Sequence, residues 1–461
     1  MKKIISVLLA ATMILSVAGC GKKVQETESG QVVLRVDSWP DKDSSPDDYE
    51  RMMKLKEEFE AKNPDITIEP DTWRFSTDSF LPKAAANQLP DVFYIPFTEV
   101  DKVVDAGYAQ DLTKYMDEYG YTEQLADNIK ELITRNGKLY MVPSNAYALG
   151  LMANKNLFKE AGEVDENGYV IYPQTFEELG EVAGRIKEKT GKPGFIFPTV
   201  KNCGGWHFMP IAWAFGTKFM EEEDGKWVAK FASPECEAAL NFIKDLKWKY
   251  NALSDNMFID NTEGFKMLAS DQGALWICDP GQSTFNNNVR KYGMSKDAMS
   301  VGLIPEGPAG RYTLMGGSLY MIPAGTSEEV IRAAFKWLEF RGVTFKETEE
   351  SLKLDEEQFK QYVEEGIPVV DRYLFSVWKN PFEKSTELKK KYSNVDMNDY
   401  REYIEFKDVI IKPEEPVCCQ ELYSLLDNCI QAVLENKDAD VHKILADAAN
   451  DFQINYLDNI N

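Results

Sequence analysis

The chain has 461 residues, 44% of them hydrophobic and 28% charged, so it can bury sizeable cores and is expected to be globular. Its 76 acidic and 52 basic residues give a formal net charge of −24 at pH 7. So acidic a surface repels polyanions, which excludes a nucleic-acid partner. With two histidines and no cysteine pair at metal-ligand spacing, we expect no metal and no cofactor.

The N-terminus is typical of a bacterial export signal. Two lysines precede an apolar run that closes on Val17-Ala-Gly-Cys20 and is too short to span a bilayer as a mature helix. A cysteine in this position resembles the bacterial lipobox, which implies attachment of two acyl chains at Cys20. We therefore expect a signal peptide over residues 1–19, a lipidated Cys20 with a flexible tether over 20–31, and anchoring on the extracellular side of the cell membrane.

The region after the tether alternates strands with helices. Residues 32–36 form a β-branched run, 47–62 carry apolar residues at helical spacing, and 66–69 alternate as a second strand. A helix over 81–88 and a strand over 89–95 follow. This order predicts a parallel sheet with crossover helices, in which ligands collect beyond the carboxyl ends of the strands. Four candidate ligand residues follow such ends: Trp39, Asp41, Phe97 and Thr98.

A second α/β region begins near residue 137. Thr175 with Glu178 indicates a capping box, and Ser233-Pro234 indicates another helix start. Six cysteines beyond Cys20 lack regular spacing, so we expect mostly buried free thiols. Strands are predicted at 148–153, 194–197, 273–278, 301–304 and 318–322, and two final helices at 420–435 and 441–457.

Four motifs occur in a fixed order along this region. They are Leu89-Pro-Asp-Val-Phe-Tyr-Ile95, then Gly137-Lys-Leu-Tyr-Met-Val-Pro143 continuing to Gly150-Leu-Met-Ala-Asn-Lys-Asn-Leu-Phe-Lys-Glu-Ala-Gly162, then Pro173-Gln-Thr-Phe-Glu-Glu-Leu179, and Val301-Gly-Leu-Ile-Pro-Glu-Gly-Pro308. Each motif alone is weak. Together, behind a lipobox, they resemble the extracellular solute-binding proteins of ABC importers, particularly the sugar-binding family that includes maltodextrin-binding protein.

The resemblance implies an α/β fold of the type II periplasmic-binding-protein kind, with two lobes joined by crossing strands and the ligand in the cleft. It assigns residues 32–143 and 317–344 to lobe 1, and 144–316 and 345–461 to lobe 2. Residues 345–412 depart from the family's compact form and look like an insertion.

Sugar sites combine aromatic rings with carboxylate, amide and arginine partners. The resemblance places a cleft side chain at Tyr147 and a sugar-stacking aromatic at Trp206. Trp206 and His207 follow Gly204-Gly205, and two glycines there can let the backbone turn into a cleft. Trp213, seven residues later, is expected in the core.

The loop after the predicted strand at 273–278 also differs from the family. Family members commonly carry a stacking tryptophan in this loop, whereas this chain has Asp279 and Gln282 there. This difference favours a subsite built on hydrogen bonds. Further candidates are Gly317, for close approach of a ligand to backbone amides, and Arg372 with Tyr373 from the inserted region.

We therefore expect a binding protein, not an enzyme, because no nucleophile elbow, histidine dyad or metal motif occurs. Its predicted ligand is a carbohydrate, an oligosaccharide, which it captures in the cleft between the lobes by hinge closure. Its predicted partners are the permease subunits of an ABC importer, and the protein itself is expected to be a monomer. The alternatives are the same fold binding a peptide, polyamine or anion, an exported glycosidase, and a surface adhesin.

Overall fold

The computed structural model describes residues 30–372, 375–379 and 382–460. Within these ranges no helix is long and apolar enough to cross a membrane. The strands are β1 Val32–Val36, β2 Ile66–Pro70, β3 Phe93–Pro96, β4 Thr134–Arg135, β5 Lys138–Leu139, β6 Met141–Ala148, β7 Gly150–Asn154, β8 Phe195–Ile196, β9 Met220–Glu223, β10 Lys226–Ala229, β11 Leu275–Cys278, β12 Met299–Gly302, β13 Arg311–Met321 and β14 Val409–Pro413.

The helices are α1 Pro46–Lys62, α2 Thr77–Ala85, α3 Val100–Asp105, α4 Thr113–Glu118, α5 Tyr121–Gln124, α6 Asp127–Ile133, α7 Lys155–Ala161, α8 Phe176–Thr190, α9 Cys203–Phe215, α10 Pro234–Trp248, α11 Asn261–Ala269, α12 Gln282–Asn286, α13 Glu328–Phe340, α14 Glu349–Glu364, α15 Glu383–Tyr392, α16 Arg401–Glu405, α17 Cys419–Glu435 and α18 Val441–Asn455.

The chain divides into two compact units. The first comprises the described residues up to Phe93 together with Ile322–Trp337, and the second comprises Tyr94–Met321 with the described residues from Leu338 onward. The lobe boundaries implied by the family resemblance lie elsewhere along the chain, and they stay a prediction.

The first unit contains the predicted strand and helix alternation. β1 pairs with β2 in parallel, and Val36 forms a parallel bridge with Val92. Both connections are helical, through α1 and α2, as the sequence pattern indicates. The core includes Trp337, whose ring stacks on Trp39 at 6.5 Å and meets Phe59 edge-on at 5.1 Å.

The second unit is built on two sheets. The first has the order β12-β7-β11-β8, with β7 antiparallel to both β11 and β12. The second places β13 between β14 and β3, and β13 also pairs antiparallel with β6. Every residue of β7, β11 and β12 is buried, which explains their nearly continuous apolar sequences.

Local signals predicted from the sequence determine the helix starts here. The Thr175 hydroxyl accepts a hydrogen bond from the Glu178 amide at 3.2 Å, and the Ser233 hydroxyl caps α10 through the Cys236 amide at 3.3 Å. Trp213 is buried, as expected. The six cysteines of the described residues are free thiols, five of them buried, which confirms that prediction as well.

The predicted insertion is packed into the second unit. Phe359, Tyr362 and Tyr403 belong to the same buried cluster as Trp276 of β11. A buried ion pair, Lys155 Nζ to Asp399 Oδ2 at 2.6 Å, connects α7 to the turn before α16. The segment around α14 to α16 therefore forms part of the core of this unit.

Candidate functional site

A cavity of about 390 Å³ lies within the second unit, beside the carboxyl end of β11. This volume is within the range of roughly 300–1,000 Å³ typical of small-molecule sites. Aromatic rings and hydrogen-bonding side chains alternate around it. The lining consists of Asn145, Ala146, Tyr147, Asp279, Pro280, Gly281, Gln282, Ser283, Phe285, Asp355, Gln358, Phe359, Tyr362, Val370, Arg372, Phe375, Lys389 and Tyr403.

The loop that follows β11 supplies the acidic edge of this cavity. Asp279 is half-buried, and burial raises the pKa of its carboxyl from an ordinary 3.8 to about 6, while the backbone N–H of Gly281 opposes the rise. A side chain at Gly281 would lie 2.9 Å from both Asp279 carboxylate oxygens, so glycine permits this close turn. Nearby, Gln282 Nε2 donates to Asn286 Oδ1 and to the Pro368 carbonyl, each at 3.2 Å.

Tyr147 supplies the wall on β6. Its partner across the antiparallel ladder is Gly316, where any side chain would overlap the Tyr147 ring. Trp206, half-buried near the start of α9, meets this ring edge-on at 6.4 Å. Burial raises the pKa of the Tyr147 hydroxyl, and the carboxylates of Glu414 and Asp279 add to the rise. Tyr147 is therefore a neutral hydrogen-bonding phenol at physiological pH.

The opposite wall comes from α14, α15 and α16. Phe359 and Tyr362 on α14, Lys389 on α15 and Tyr403 on α16 are all buried. The Tyr403 hydroxyl donates to the Ala148 carbonyl at 2.6 Å, which ties this wall to β6. Burial lowers the pKa of the Lys389 ammonium to about 8, against the attraction of Asp355 and Asp371.

The structure brings several predicted site residues together here. Tyr147, Asp279, Gln282 and Arg372 line this one cavity, and Trp206 contacts Tyr147. Arg372 is exposed and donates two hydrogen bonds to the Asp371 carboxylate, at 2.7 and 3.1 Å. Two further candidates, Tyr373 and the lipidation site Cys20, lie outside the described residues.

His207 departs from the expected ligand role. Its ring is 1% exposed, Nδ1 donates to the Cys203 carbonyl at 2.6 Å, and Nε2 accepts from the Trp276 indole N–H at 3.1 Å. Burial lowers the pKa of His207 to about 4, so the ring stays neutral. With both nitrogens in use, His207 holds α9 against β11 and has no hydrogen-bonding capacity left for a ligand.

The two glycines before Trp206, Gly204 and Gly205, also have a different structural role from the one expected. Gly204 and Gly205 lie inside α9, not in a turn into a cleft. A side chain at Gly205 would overlap the backbone of Tyr423 on α17. The two glycines therefore let α9 and α17 pack at close range, and this packing sets the position of Trp206.

Other candidates are engaged in packing or in local turns. Trp39 is 2% exposed against Trp337, and Asp41 Oδ1 accepts from the Ser44 amide at 2.9 Å in the loop before α1. Both belong to the first unit. The structure thus gives Trp39 a core position, where a ligand contact was expected.

Phe97, Thr98 and Gly317 lie within the second unit but outside the cavity lining. Phe97 is 4% exposed, and a side chain at Gly317 would overlap its ring and the Asn145 carbonyl. The Thr98 hydroxyl accepts from Gln420 Nε2 at 3.3 Å. Gly317 is therefore required by the contact between β13 and Phe97, not by approach of a ligand.

Sequence reasoning missed the wall formed by α14 to α16. Helical periodicity marks Phe359 and Tyr362 as the apolar face of α14, but it does not say what that face covers. Lys389 stands between Leu388 and two exposed lysines, so its sequence carries no signal of burial. Only the packing of this segment on β7 and β11 brings these side chains to the cavity.

The chemistry of the cavity is that of a site for a hydroxyl-rich ligand. Aromatic faces cover apolar C–H surface, while carboxylate, amide, ammonium and guanidinium groups hydrogen-bond to polar substituents. No cluster of three or more potential metal ligands occurs among the residues that the structure describes.

A family model described as bacterial extracellular solute-binding protein matches residues 42–340, more than half of the chain. The chain therefore belongs to the bacterial extracellular solute-binding proteins, a family of binding proteins and not of enzymes. This membership confirms the family and the class of function predicted from the sequence.

Individual relatives are distant. The maltotriose-binding protein of Pyrococcus abyssi (strain GE5 / Orsay) is 24% identical over 231 residues, which cover 50% of this chain and 46% of the relative. The chain thus spans less than half the length of the curated relatives it matches.

Solved structures show the fold. Maltose-bound T. maritima MalE3 has a TM-score of 0.67 at 21% identity and covers 91% of this chain and 99% of its own. UgpB from Mycobacterium tuberculosis in complex with glycerophosphocholine has a TM-score of 0.64 at 16% identity, with coverages of 92% and 98%. These likenesses confirm the predicted α/β fold class of type II periplasmic binding proteins.

Proposed function

We propose that this protein captures a carbohydrate for import by an ABC transporter and binds it without chemical change. The observation that carries the proposal is the cavity, where Tyr147, Asp279, Gln282 and Arg372 converge with several aromatic rings. The similarity to a maltotriose-binding protein and to a maltose-bound structure supports a sugar ligand.

The remaining parts of the proposal rest on the sequence. The lipobox supports lipid attachment at Cys20 and a position on the extracellular side of the cell membrane, with ABC permease subunits as partners and a monomeric state. Closure of the two predicted lobes on the ligand rests on the family resemblance alone.

A second candidate is capture of a non-sugar solute by the same fold. The structural likeness to a glycerophosphocholine complex favours including this class. Arg372 and Lys389 could accept a phosphate, although Asp279 and Asp355 line the same cavity and oppose an anion.

The test is calorimetric titration of the purified protein with neutral oligosaccharides of several linkages, free hexoses, spermidine and glycerophosphocholine. We expect at least one oligosaccharide to bind with a dissociation constant in the micromolar range or tighter, and chromatography to recover it intact. Binding of glycerophosphocholine or spermidine but of no sugar would refute the carbohydrate proposal, and release of hydrolysis products would refute binding without turnover.

A further inference from the structure

The residues that line the cavity come from two parts of the chain. The family match ends at residue 340, and half of the lining residues come from beyond it, between Asp355 and Tyr403. The part inside the match supplies the loop after β11 and the segment at the end of β6. The part outside the match supplies α14, α15, α16 and the connection between α14 and α15.

The lining residues from these two parts of the chain differ in burial. Exposed lining residues come from both parts, whereas five of the seven buried lining residues come from the segment beyond the match, and the buried floor is formed by three of these, Phe359, Tyr362 and Lys389. A ligand in the cavity therefore has most of its contacts with buried side chains in the non-matching segment. The innermost contacts are the ones from which water is most completely excluded, so they weigh most in discrimination between ligands.

Hydrogen bonds and an ion pair fasten the segment that carries the floor to the rest of the unit. Lys155 pairs with Asp399 at 2.6 Å, and the Tyr403 hydroxyl bonds to the Ala148 carbonyl at 2.6 Å. Asn394 donates to the Ile367 carbonyl at 2.9 Å and accepts from the Val369 amide at 2.8 Å, which fixes the connection after α14. Side chains supported in this way are preorganised for one ligand shape.

Charge narrows the ligand class. Arg372 is neutralised by Asp371 through two hydrogen bonds, and the charges of Asp355 and Lys389 attract each other across the floor. The lining itself carries two carboxylates, Asp279 and Asp355, and two cations, and the carboxylate of Asp371 beside it brings the sum of these charges to −1. This net negative charge would repel a carboxylate on the ligand, whereas hydroxyl groups can donate hydrogen bonds to Asp279.

We infer that the lining residues on α14, α15 and α16 and on the described residues between them determine the specificity of the binding site, and that the floor accepts an uncharged sugar unit and discriminates against a uronic acid. The inference rests on the proposed function, because it concerns the same cavity. The apolar face of the sugar unit lies against the aromatic floor, and its hydroxyls reach Lys389 and Asp279.

The experiment compares maltotriose, xylotriose, N-acetylated chitotriose and tri-galacturonate by calorimetric titration. The wall variants are Phe375→Ala, which shortens an aromatic lining side chain between α14 and α15, and Lys389→Met, which keeps the side-chain length but removes the ammonium group. Matched controls are Phe258→Ala, at an exposed phenylalanine outside the cavity, and Lys390→Met, at an exposed lysine of α15 that pairs with Glu387. Circular dichroism and melting curves show which variants fold.

We expect the wild type to bind a neutral trisaccharide at least about tenfold more tightly than tri-galacturonate. Each wall variant should weaken that binding by about ten- to hundredfold and change the ranking of the neutral probes, since aromatic contacts and charged hydrogen bonds each contribute on this scale. Both controls should stay within about twofold of the wild type. If Lys389→Met fails to fold, Phe375→Ala alone decides.

Three results would overturn the inference. Wild-type affinities and ranking in the folded wall variants would show that the segment is only a scaffold, while the proposed function would stand. Equal or tighter binding of tri-galacturonate would overturn the discrimination against acids. A wild type that binds no carbohydrate in either titration would remove the proposed function itself, and the inference with it.

Discussion

Asp279 is a cavity residue whose charge changes in mildly acidic solution, because burial raises its pKa to about 6. The titratable groups facing it are Tyr147, Tyr403 and Cys278, and burial raises the pKa of each of these, so all three are neutral at pH 7. Between pH 3.8 and about 6 the folded protein holds a proton on Asp279 that the unfolded chain releases. The contribution of Asp279 to folding stability therefore falls as the pH rises through this window, and it is lowest above pH 6.

The first prediction concerns Asp279→Asn. We expect a higher melting temperature at pH 7, because the buried charge is removed, and little change at pH 4, where the folded wild type is already protonated. Affinity for the sugar should fall by about ten- to hundredfold at pH 7. Wild-type affinity should itself fall from pH 7.5 to pH 5, and that of the variant should not. Asp255→Asn, at an exposed carboxylate, is the control; a variant that is less stable and binds normally would contradict the assignment.

The second prediction concerns Trp206, whose ring is half-buried between Tyr147 and His207. Trp206→Ala should lower sugar affinity by about 1–3 kcal/mol. Its effect on stability should be below the roughly 3–5 kcal/mol typical of a fully buried aromatic residue. Trp248→Ala, at a partly exposed tryptophan outside the cavity, should leave affinity unchanged. A strongly lowered melting temperature of Trp206→Ala together with normal sugar affinity would mean that the Trp206 ring contributes only to packing.

At the scale of elements, the contact between α9 and α17 determines how Trp206 is oriented at the site. Asp427 on α17 accepts hydrogen bonds from the Asn202 and Gly205 amides, each at 2.8 Å, and so satisfies free N–H groups at the start of α9. Gly205 permits this approach because it has no side chain. The direction in which Trp206 points therefore depends on a helix whose contacting residue Asp427 is 222 residues away from Gly205 in sequence.

The third prediction is that Gly205→Ala destabilises the protein by about 1–3 kcal/mol, as overpacking of a close contact does. Alanine is favoured over glycine in a helix interior by about 1 kcal/mol, so a gain in stability would be expected if the helix stood alone. Urea denaturation distinguishes the two cases. Unchanged or increased stability would show that α9 and α17 have room to separate.

At the scale of the whole molecule, the acidic surface and the proposed anchor act together. A net charge of −24 disfavours binding to an anionic membrane surface, so the proposed membrane attachment would depend on lipid at Cys20. The fourth prediction is that Cys20→Ala releases the protein into the soluble fraction of cells, whereas Cys418→Ala does not. The measurement is fractionation with mass spectrometry of the N-terminal peptide; membrane retention of Cys20→Ala without acyl mass would contradict it.

The sequence by itself determined the features that depend on neighbouring residues. The order of strands and helices, the caps at Thr175 and Ser233, and the buried position of Trp213 follow from periodicity and local hydrogen bonding. The motifs between residues 89 and 308 indicated the family because their order along the chain is itself sequence information.

The tertiary structure alone decided which side chains share the cavity. The family resemblance indicated Asp279 and Tyr147, but Lys389 and Phe359 reach the same space only because α14 and α15 pack on a distant sheet. His207 and Gly205 show the same dependence, since their partners Trp276 and Tyr423 are 69 and about 220 residues away. Burial and hydrogen-bond partners are properties of contacts between remote segments, and no local pattern of residues encodes them.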